Sequence, residues 1–261
     1  MRINRLSLLN SLFSVLNDNS PEDSNAVLAR YFLQNYRDLA SLNIFDVAAD
    51  CYMSRSSVRR FCKALGYENF VDLKNEFTEY DDKMTQAMAH FHRSDYRAQL
   101  TSEINEMIEE LDRRMNNEQT LRIAERIHDS RFVVFLTSDT TTSVIKMFQQ
   151  AMVLQGKIIY LVSDSYTEHS MLSQLDERDY LITVSVTGVF AKAIAPYVRD
   201  MKATKHLVTA NRDIKLHDGY DKVYHLSATD KSEEGSLVYG KYGINYMFDV
   251  ILATYVNRYA E

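Results

Sequence analysis

Residues 43–77, NIFDVAADCYMSRSSVRRFCKALGYENFVDLKNEF, constrain the chain more than any other stretch. The spacing predicts two short helices around a tight turn. Asn43 is placed to cap the first, with Asp46 in the N3 position of a capping box. Val47 and Ala48 are its buried contacts, and it runs for only about two turns. Ser54 is placed to cap the second helix, and Gly66 to stop it as glycine does at C′. Val58, Phe61, Cys62 and Leu65 recur at helical spacing on one face. Arg55, Arg59, Arg60 and Lys63 fall largely on the rest. A short capped helix, a turn and a basic second helix make a helix-turn-helix, whose second helix enters the DNA major groove.

The net charge of −6 would ordinarily count against a nucleic-acid partner, so its distribution matters. Residues 1–80 carry nine Lys/Arg and ten Asp/Glu, and residues 81–261 the other 21 and 26. Within 54–63 there are four basic residues and no acid. The positive field is thus focused on one helix. Such a chain should bind DNA with modest non-specific affinity that salt strongly weakens.

The length of 261 residues suits two domains. The two cysteines, Cys51 and Cys62, read as small buried thiols, too few for a disulfide framework or a zinc site. His90 and His92 form an H-x-H in a polar stretch and are weak candidates for a metal; no metal or cofactor is expected. The N-terminal segment is amphipathic, with Ile3, Leu6, Leu9, Phe13 and Leu16 on one face, and lacks a small-residue cleavage site. No apolar run approaches the roughly 18–20 residues of a membrane span. The expected compartment is the cytoplasm.

Residues 1–79 read as an all-helical domain, with a helix start near Pro21 and an apolar face of Leu28, Ala29, Phe32 and Leu33. Phe70, Leu73 and Phe77 share a face of a further helix. Residues 80–96 read as a linker. From 97 to 128 runs a charged amphipathic helix or helix pair, with Leu100, Ile104, Met107, Ile108, Leu111, Ile123 and Ile127 inward. Beyond 131 the period changes. Short β-branched runs at 131–137, 157–162, 179–186, 204–210 and 221–227 alternate with helical patterns at 141–154, 168–175 and 190–202. Near-continuous apolar strands alternating with helices imply a doubly wound parallel five-stranded α/β sheet over 97–261. An amphipathic helix over 237–258 closes the chain.

In such a sheet ligands bind beyond the C-terminal ends of the strands. Those ends are rich in hydroxyls: TSDTTTS (137–143), SDSYTEHS (163–170), SVTGVF (185–190) and TANRDIK (209–215). Backbone amides at helix N-termini together with Ser and Thr suit an anion such as a phosphate. The plainer reading is that these side chains cap the helices that follow. None of Gly66, Gly156, Gly188, Gly219, Gly235, Gly240 and Gly243 lies in the first strand-to-helix loop, which disfavours a dinucleotide or P-loop site. Glu168 and His169 offer an acid and a base, but a lone pair in a loop is more often a surface pair. No Ser-His-Asp order, nucleophile elbow or metal cluster stands out.

AVLARYFLQN (26–35) and residues 43–74, with Ser54, Ser57, Arg60, Phe61, Leu65, Gly66, Tyr67 and Phe70, resemble the RpiR/MurR family of bacterial transcription regulators. The likeness extends with less identity to YGINYMFDVILATYV (242–256). It implies an N-terminal helix-turn-helix joined to a C-terminal SIS (sugar isomerase) domain. It also implies a homodimer or homotetramer that regulates carbohydrate metabolism, binds double-stranded DNA and responds to a phosphosugar. The DNA-contacting set is then Ser54, Arg55, Ser56, Ser57, Arg59, Arg60 and Lys63. The effector set is Ser138, Thr140, Thr141, Ser185, Thr187 and Gly188. SVTGV (185–189) is similar to the family's S-x-S-G-x loop, with Thr187 for the second Ser. The first loop departs from the usual G-x-G-x-S: Thr137, Asp139 and Thr141 stand there, removing glycines and adding a negative charge. Phe190 stands where a Thr is common. Two other readings stay open, a ligand-independent regulator whose SIS domain only dimerises and a sugar-phosphate isomerase.

Overall fold

The computed structural model describes residues 8–75, 91, 94–163, 171–232 and 236–259, apart from the side chains of Asp139, Thr140 and Ser236. It divides into two compact units, residues 2–96 and 97–261.

In the first unit, α1 (Leu8–Asp18) and α2 (Ser24–Gln34) precede a one-turn 3₁₀ segment at Tyr36–Asp38. Then come α3 (Ile44–Asp50), α4 (Arg55–Ala64) and a helical segment at 70–75. The inward face of α1 is Leu8 and Leu12, one residue out of phase with the expected Leu9 and Phe13. Phe13 stays 44% exposed, because its neighbour Leu12 already fills the core position. Ile3, Leu6 and Phe77 lie outside the described residues. The start of α2 is also displaced: Asp23, not the Pro21 region, caps it, its carboxylate accepting from Asn25 N at 2.7 Å. Phe32 of α2 is fully buried and forms the centre of this core with Phe61, Phe70 and Val47. Both cysteines are buried and unpaired, and burial pushes the Cys62 thiol up to about 12, so it remains a neutral apolar group.

The second unit opens with two helices, α5 (Tyr96–Arg114) and α6 (Asn117–Asp129). Five strands follow, β1 (Val133–Thr137), β2 (Ile159–Ser163), β3 (Tyr180–Val184), β4 (Thr204–Thr209) and β5 (Lys222–His225). All pair in parallel in the order β2-β1-β3-β4-β5. Helix α7 (Asp139–Val153) joins β1 to β2, and α8 (Val189–Val198) joins β3 to β4. Alternate residues serve opposite faces. Val133, Phe135, Tyr180, Ile182 and Val208 join the core with α5, α6, α7 and the last helix. Leu207 packs with Ala191 of α8 and with Leu216. Cover on both faces explains why β1 and β3 are buried at every position.

Three expectations for this unit need correction. Ile108 is 38% exposed, because the inward stripe of α5 runs through Met107 and Leu111. Between β2 and β3 the described residues hold only a 3₁₀ turn, Leu172–Gln174, and residues 164–170 lie outside the description. The closing helix is not continuous: a π-helical turn, Tyr239–Gly243, separates Ser236–Val238 from α9 (Ile244–Tyr259). The turn is held against α5. Glu110 accepts from the Tyr239 hydroxyl and from Ala228 N, and a Cβ at Gly243 would lie 3.3 Å from both Leu111 and Met107. No described helix is long and apolar enough to cross a membrane.

At the N-terminal edge of the sheet one buried carboxylate ties β1 to β3. Asp179 accepts from Arg131 Nε (3.0 Å) and Nη2 (2.7 Å), and from the amides of Phe132 (3.1 Å) and Asp176 (2.7 Å). Burial alone would raise its pKa, but the guanidinium and the two amides outweigh it and hold the carboxyl below its ordinary value. A depressed carboxylate contributes stability above the unfolded value near 3.9, lost as pH falls through the folded one. Asp179→Asn should therefore cost about 3 kcal/mol at pH 7 and reduce the loss of stability below about pH 4. Denaturant unfolding at both pH values checks this; wild-type stability at pH 7 would disprove the clamp.

Candidate nucleic-acid interface and effector site

The local chemistry around α4 explains why it begins and ends where it does. Ser54 Oγ accepts from Ser57 N at 3.1 Å, satisfying one of the orphan amides of the first turn. Leu65 forms the C-cap and Gly66 follows at φ +94°, with Gly66 N donating to Lys63 O (3.0 Å) and Tyr67 N to Cys62 O (2.9 Å). That pair of bonds is a Schellman stop. Helix α3 is set up the same way. Asn43 Oδ1 accepts from Phe45 N (2.9 Å) and Asp46 N (3.0 Å), while the Asp46 carboxylate accepts from the Asn43 side-chain amide. At its end Tyr52 N reaches Ala49 O (3.1 Å) and Met53 N reaches Ala48 O (2.8 Å), again a Schellman stop, with Tyr52 at φ +52°.

With both ends fixed and Val58, Phe61 and Cys62 buried, Ser54, Arg55, Ser56, Arg59, Arg60 and Lys63 are all exposed on α4 and its cap. Ser57 is half-buried, sharing a 3.0 Å contact with Ser54 Oγ and accepting from Arg60 Nη2 at 3.4 Å. The Arg55 guanidinium carbon lies 4.7 Å from the ring centroid of Phe45, which is 62% exposed. This cation–π contact aims one of the four cations, at a geometry typically worth about 0.5–1 kcal/mol on a surface. The basic residues of α4 were evident from spacing. Phe45 and Tyr52 were not singled out, although an exposed aromatic in a turn is a readable signal.

The second candidate lies in the other unit, at the C-terminal ends of β1 and β3. Strand order reverses there, since β2 and β3 flank β1, which makes the crevice between them the topological switch point. Ser138 is the N-cap residue of α7. The Thr137 and Thr141 hydroxyls contact each other closely, and each also donates to Ser138 O at 3.2 Å. Thr142 Oγ1 reaches the same carbonyl at 3.3 Å. The first loop is thus closed on itself. The side chains of Asp139 and Thr140 lie outside the described residues.

The second loop is built differently. Ser185 is buried and its Oγ accepts from Ala191 N at 3.1 Å, and Thr187, exposed, accepts from Val189 N at 3.4 Å. Capping uses a hydroxyl lone pair and leaves its proton able to donate. Asn211 Nδ2 donates to Thr187 O (2.8 Å), and Ala210 N to Val186 O (2.9 Å), fastening the loop to the end of β4. Asn211 was missed as a positioning residue; only the fold brings it beside Thr187. Gly188 sits at φ +82°, and a Cβ there would lie 2.8 Å from Leu216 Cδ1 and 3.0 Å from Asn211 Nδ2. Further along the sheet end, His225 Nε2 and His217 Nε2 are 3.2 Å apart. Burial and the nearby Arg212 lower the His225 pKa to about 4, so it is neutral at pH 7. The loop at 164–170, with Glu168 and His169, and the pair His90 and His92 lie outside the described residues.

Residues 5–84 match the family model described as "Helix-turn-helix domain, rpiR family". No curated protein matches the chain. Among solved structures it is similar to the Vibrio vulnificus NanR protein complexed with ManNAc-6P, at 20% identity over 97% of this chain and 92% of that one, TM-score 0.48. It is similar to the sugar isomerase domain of an RpiR transcription factor from Sphaerobacter thermophilus, at 16% identity over 64% and 92%, TM-score 0.48. A third is the c3406 protein of E. coli CFT073, at 14% identity over 68% and 93%, TM-score 0.49.

Gly188→Ala should destabilise the second unit by about 1–3 kcal/mol, from the left-handed backbone and the clash with Leu216 together. Thermal melting checks it; a wild-type midpoint would mean the loop relaxes freely.

Proposed function

We propose that the chain, whose residues 5–84 match the rpiR-family helix-turn-helix model, is a sequence-specific DNA-binding transcription regulator whose second unit senses a phosphosugar or a related anionic metabolite. The observation that carries the first half is the exposed face of α4. Arg55, Arg59, Arg60 and Lys63 stand on a helix whose other face is pinned by Val58, Phe61 and Cys62, and no acid interrupts residues 54–63. Ser54, Ser56 and Ser57 add hydroxyls for phosphates or base edges. Arg60 is the favoured base or phosphate contact, since its fork suits a guanine edge and a phosphate alike. One such helix reads only a few base pairs. The working form is therefore a homodimer or homotetramer, reading half-sites about 34–36 Å apart, in the cytoplasm.

For the second half, the Ser185 and Thr187 hydroxyls, whose oxygens accept from the Ala191 and Val189 amides, keep their protons as donors at the switch point. Ser138, Thr140, Thr141 and Gly188 would complete the cradle. An effector there shifts DNA affinity only by its differential affinity for two arrangements of the assembly. The closed Thr137–Thr141 pair favours one alternative, a regulator whose second unit only dimerises. We read the chain as a regulator and not an isomerase, because its DNA-binding unit has no part in such a reaction; a coupled isomerase assay tests this.

Arg60→Ala should weaken binding to a duplex selected by the protein by roughly tenfold or more, without changing the melting temperature. Unchanged affinity in a gel-shift titration would remove Arg60 from the interface. A thermal-shift screen of the full chain against sugar phosphates, ManNAc-6P among them, tests the sensor. A ligand at 100 times its Kd adds about 2.7 kcal/mol, a readily measured shift, and Ser185→Ala should abolish it. A silent screen would favour the dimerising role.

A further inference from the structure

We propose that Tyr52, in the turn before α4, is a DNA contact: its phenol donates to a backbone phosphate while its ring lies against the adjoining deoxyribose. This rests on the DNA-binding reading above, and extends the interface beyond the recognition helix.

Tyr52 is the one non-glycine residue with positive φ among the described residues, at +52°. The left-handed region disfavours a side chain with a Cβ, and tyrosine is not among the residues that tolerate it well. The turn does not need a tyrosine. Its work is the Schellman stop of α3, done entirely by the backbone bonds Tyr52 N to Ala49 O and Met53 N to Ala48 O. The same chain makes the same stop at the end of α4 with a glycine, Gly66 at φ +94°. Nor does the ring stabilise the fold, because Tyr52 is 97% exposed. A left-handed backbone that the turn requires and a fully solvated aromatic that it does not require thus coincide at one residue, and the ring gains nothing within the described chain. A tyrosine kept where a glycine would fill the same turn without strain points to a use of its side chain by something outside.

Its position says what that is. Tyr52 lies two residues before the cap Ser54 and three before Arg55, which is itself held over Phe45. The exposed cations Arg55, Arg59, Arg60 and Lys63 follow it in the chain with no acid from 54 to 63, while Asp50 before it accepts from the Tyr31 hydroxyl at 2.7 Å. Duplex DNA is the partner that matches this charge, and tyrosine hydroxyls are ordinary donors to phosphate oxygens. The contact is neutral. It adds affinity without releasing a counterion, which separates it from the arginines beside it.

The test uses the full chain and a duplex enriched by that chain from a random-sequence library, titrated by fluorescence anisotropy at several salt concentrations. Tyr52→Gly should raise the melting temperature of the first unit yet bind about tenfold more weakly, the loss expected for a hydrogen bond to a charged group. Tyr52→Asn, which tolerates the left-handed region, should bind as weakly as Tyr52→Gly, excluding turn flexibility as the cause. Tyr52→Phe should fall between, with the salt slope of wild type, whereas Arg59→Ala should reduce that slope by about one. Wild-type affinity in Tyr52→Gly or Tyr52→Asn overturns the contact and leaves the DNA-binding reading intact. A drop in both stability and affinity for Tyr52→Gly overturns it as well, by making the residue structural. If the wild-type chain enriches no duplex, the DNA-binding reading itself fails, and this proposal with it.

Discussion

The Phe61 ring stacks on Phe32 of α2, centroids 5.7 Å apart and planes 14° off parallel, and Phe70 closes on the same ring at 6.0 Å. An isolated ten-residue helix is not stable in water, least of all one with four cations. What makes α4 a helix is the burial of Val58, Phe61 and Cys62 on one stripe against that aromatic centre. The same burial decides which side chains are left facing outward. Arg55, Arg59, Arg60 and Lys63 are presented because the apolar stripe cannot be. Their mutual repulsion is carried by the core beneath them, so presentation of charge and stability of the unit are one problem.

The second unit solves a different one. Parallel strands covered on both faces leave their C-terminal ends as the place where backbone and hydroxyls meet solvent. At the switch point the two loops spend their hydroxyls in unlike ways. Thr137 and Thr141 turn their hydroxyls toward each other and the Ser138 carbonyl, a self-contained arrangement. Ser185 and Thr187 accept from helix amides and keep a proton to give. Helix capping and ligand binding are therefore not exclusive, and the second loop is where both can occur at once. Asn211 holds that loop from behind, and Gly188 suits it because its backbone is left-handed and a Cβ would crowd the Leu216 and Asn211 side chains.

Much of this was legible in the sequence. The caps Asn43 and Ser54, the stop at Gly66 and the inward Val58 and Phe61 follow from local rules, because each is settled within a few residues of chain, and the parallel sheet follows from the alternation of apolar strands with helices. The misreadings have tertiary causes. Leu9 and Phe13 have the right period on α1, but Leu8 and Leu12 meet the core, and periodicity does not set the phase. Ile108 lost its place to Met107 and Leu111 for the same reason. Asn211 could not be read as a partner of Thr187, since 24 residues separate them. For Ser185 and Thr187 the reading as helix caps matches their geometry, and their use by a ligand rests on proposal.

The π-turn at Tyr239–Gly243 bears on how this chain can change over time. A π-turn holds one residue more than the α-helical turn it replaces. Losing one residue there would convert it to plain helix and leave everything downstream at nearly the same angle, because five residues of the wider turn sweep about as far as four of an α-helix. Ile244, Met247, Phe248, Ile251 and Tyr255, all buried, would keep their side of the core. What would change is the turn itself, whose clamp from Tyr239 to Glu110 and whose seat at Gly243 against α5 are built on five residues. A one-residue deletion within α9 would instead rotate everything beyond it by about 100°. Length can therefore drift at the turn, and in the helix that follows it cannot.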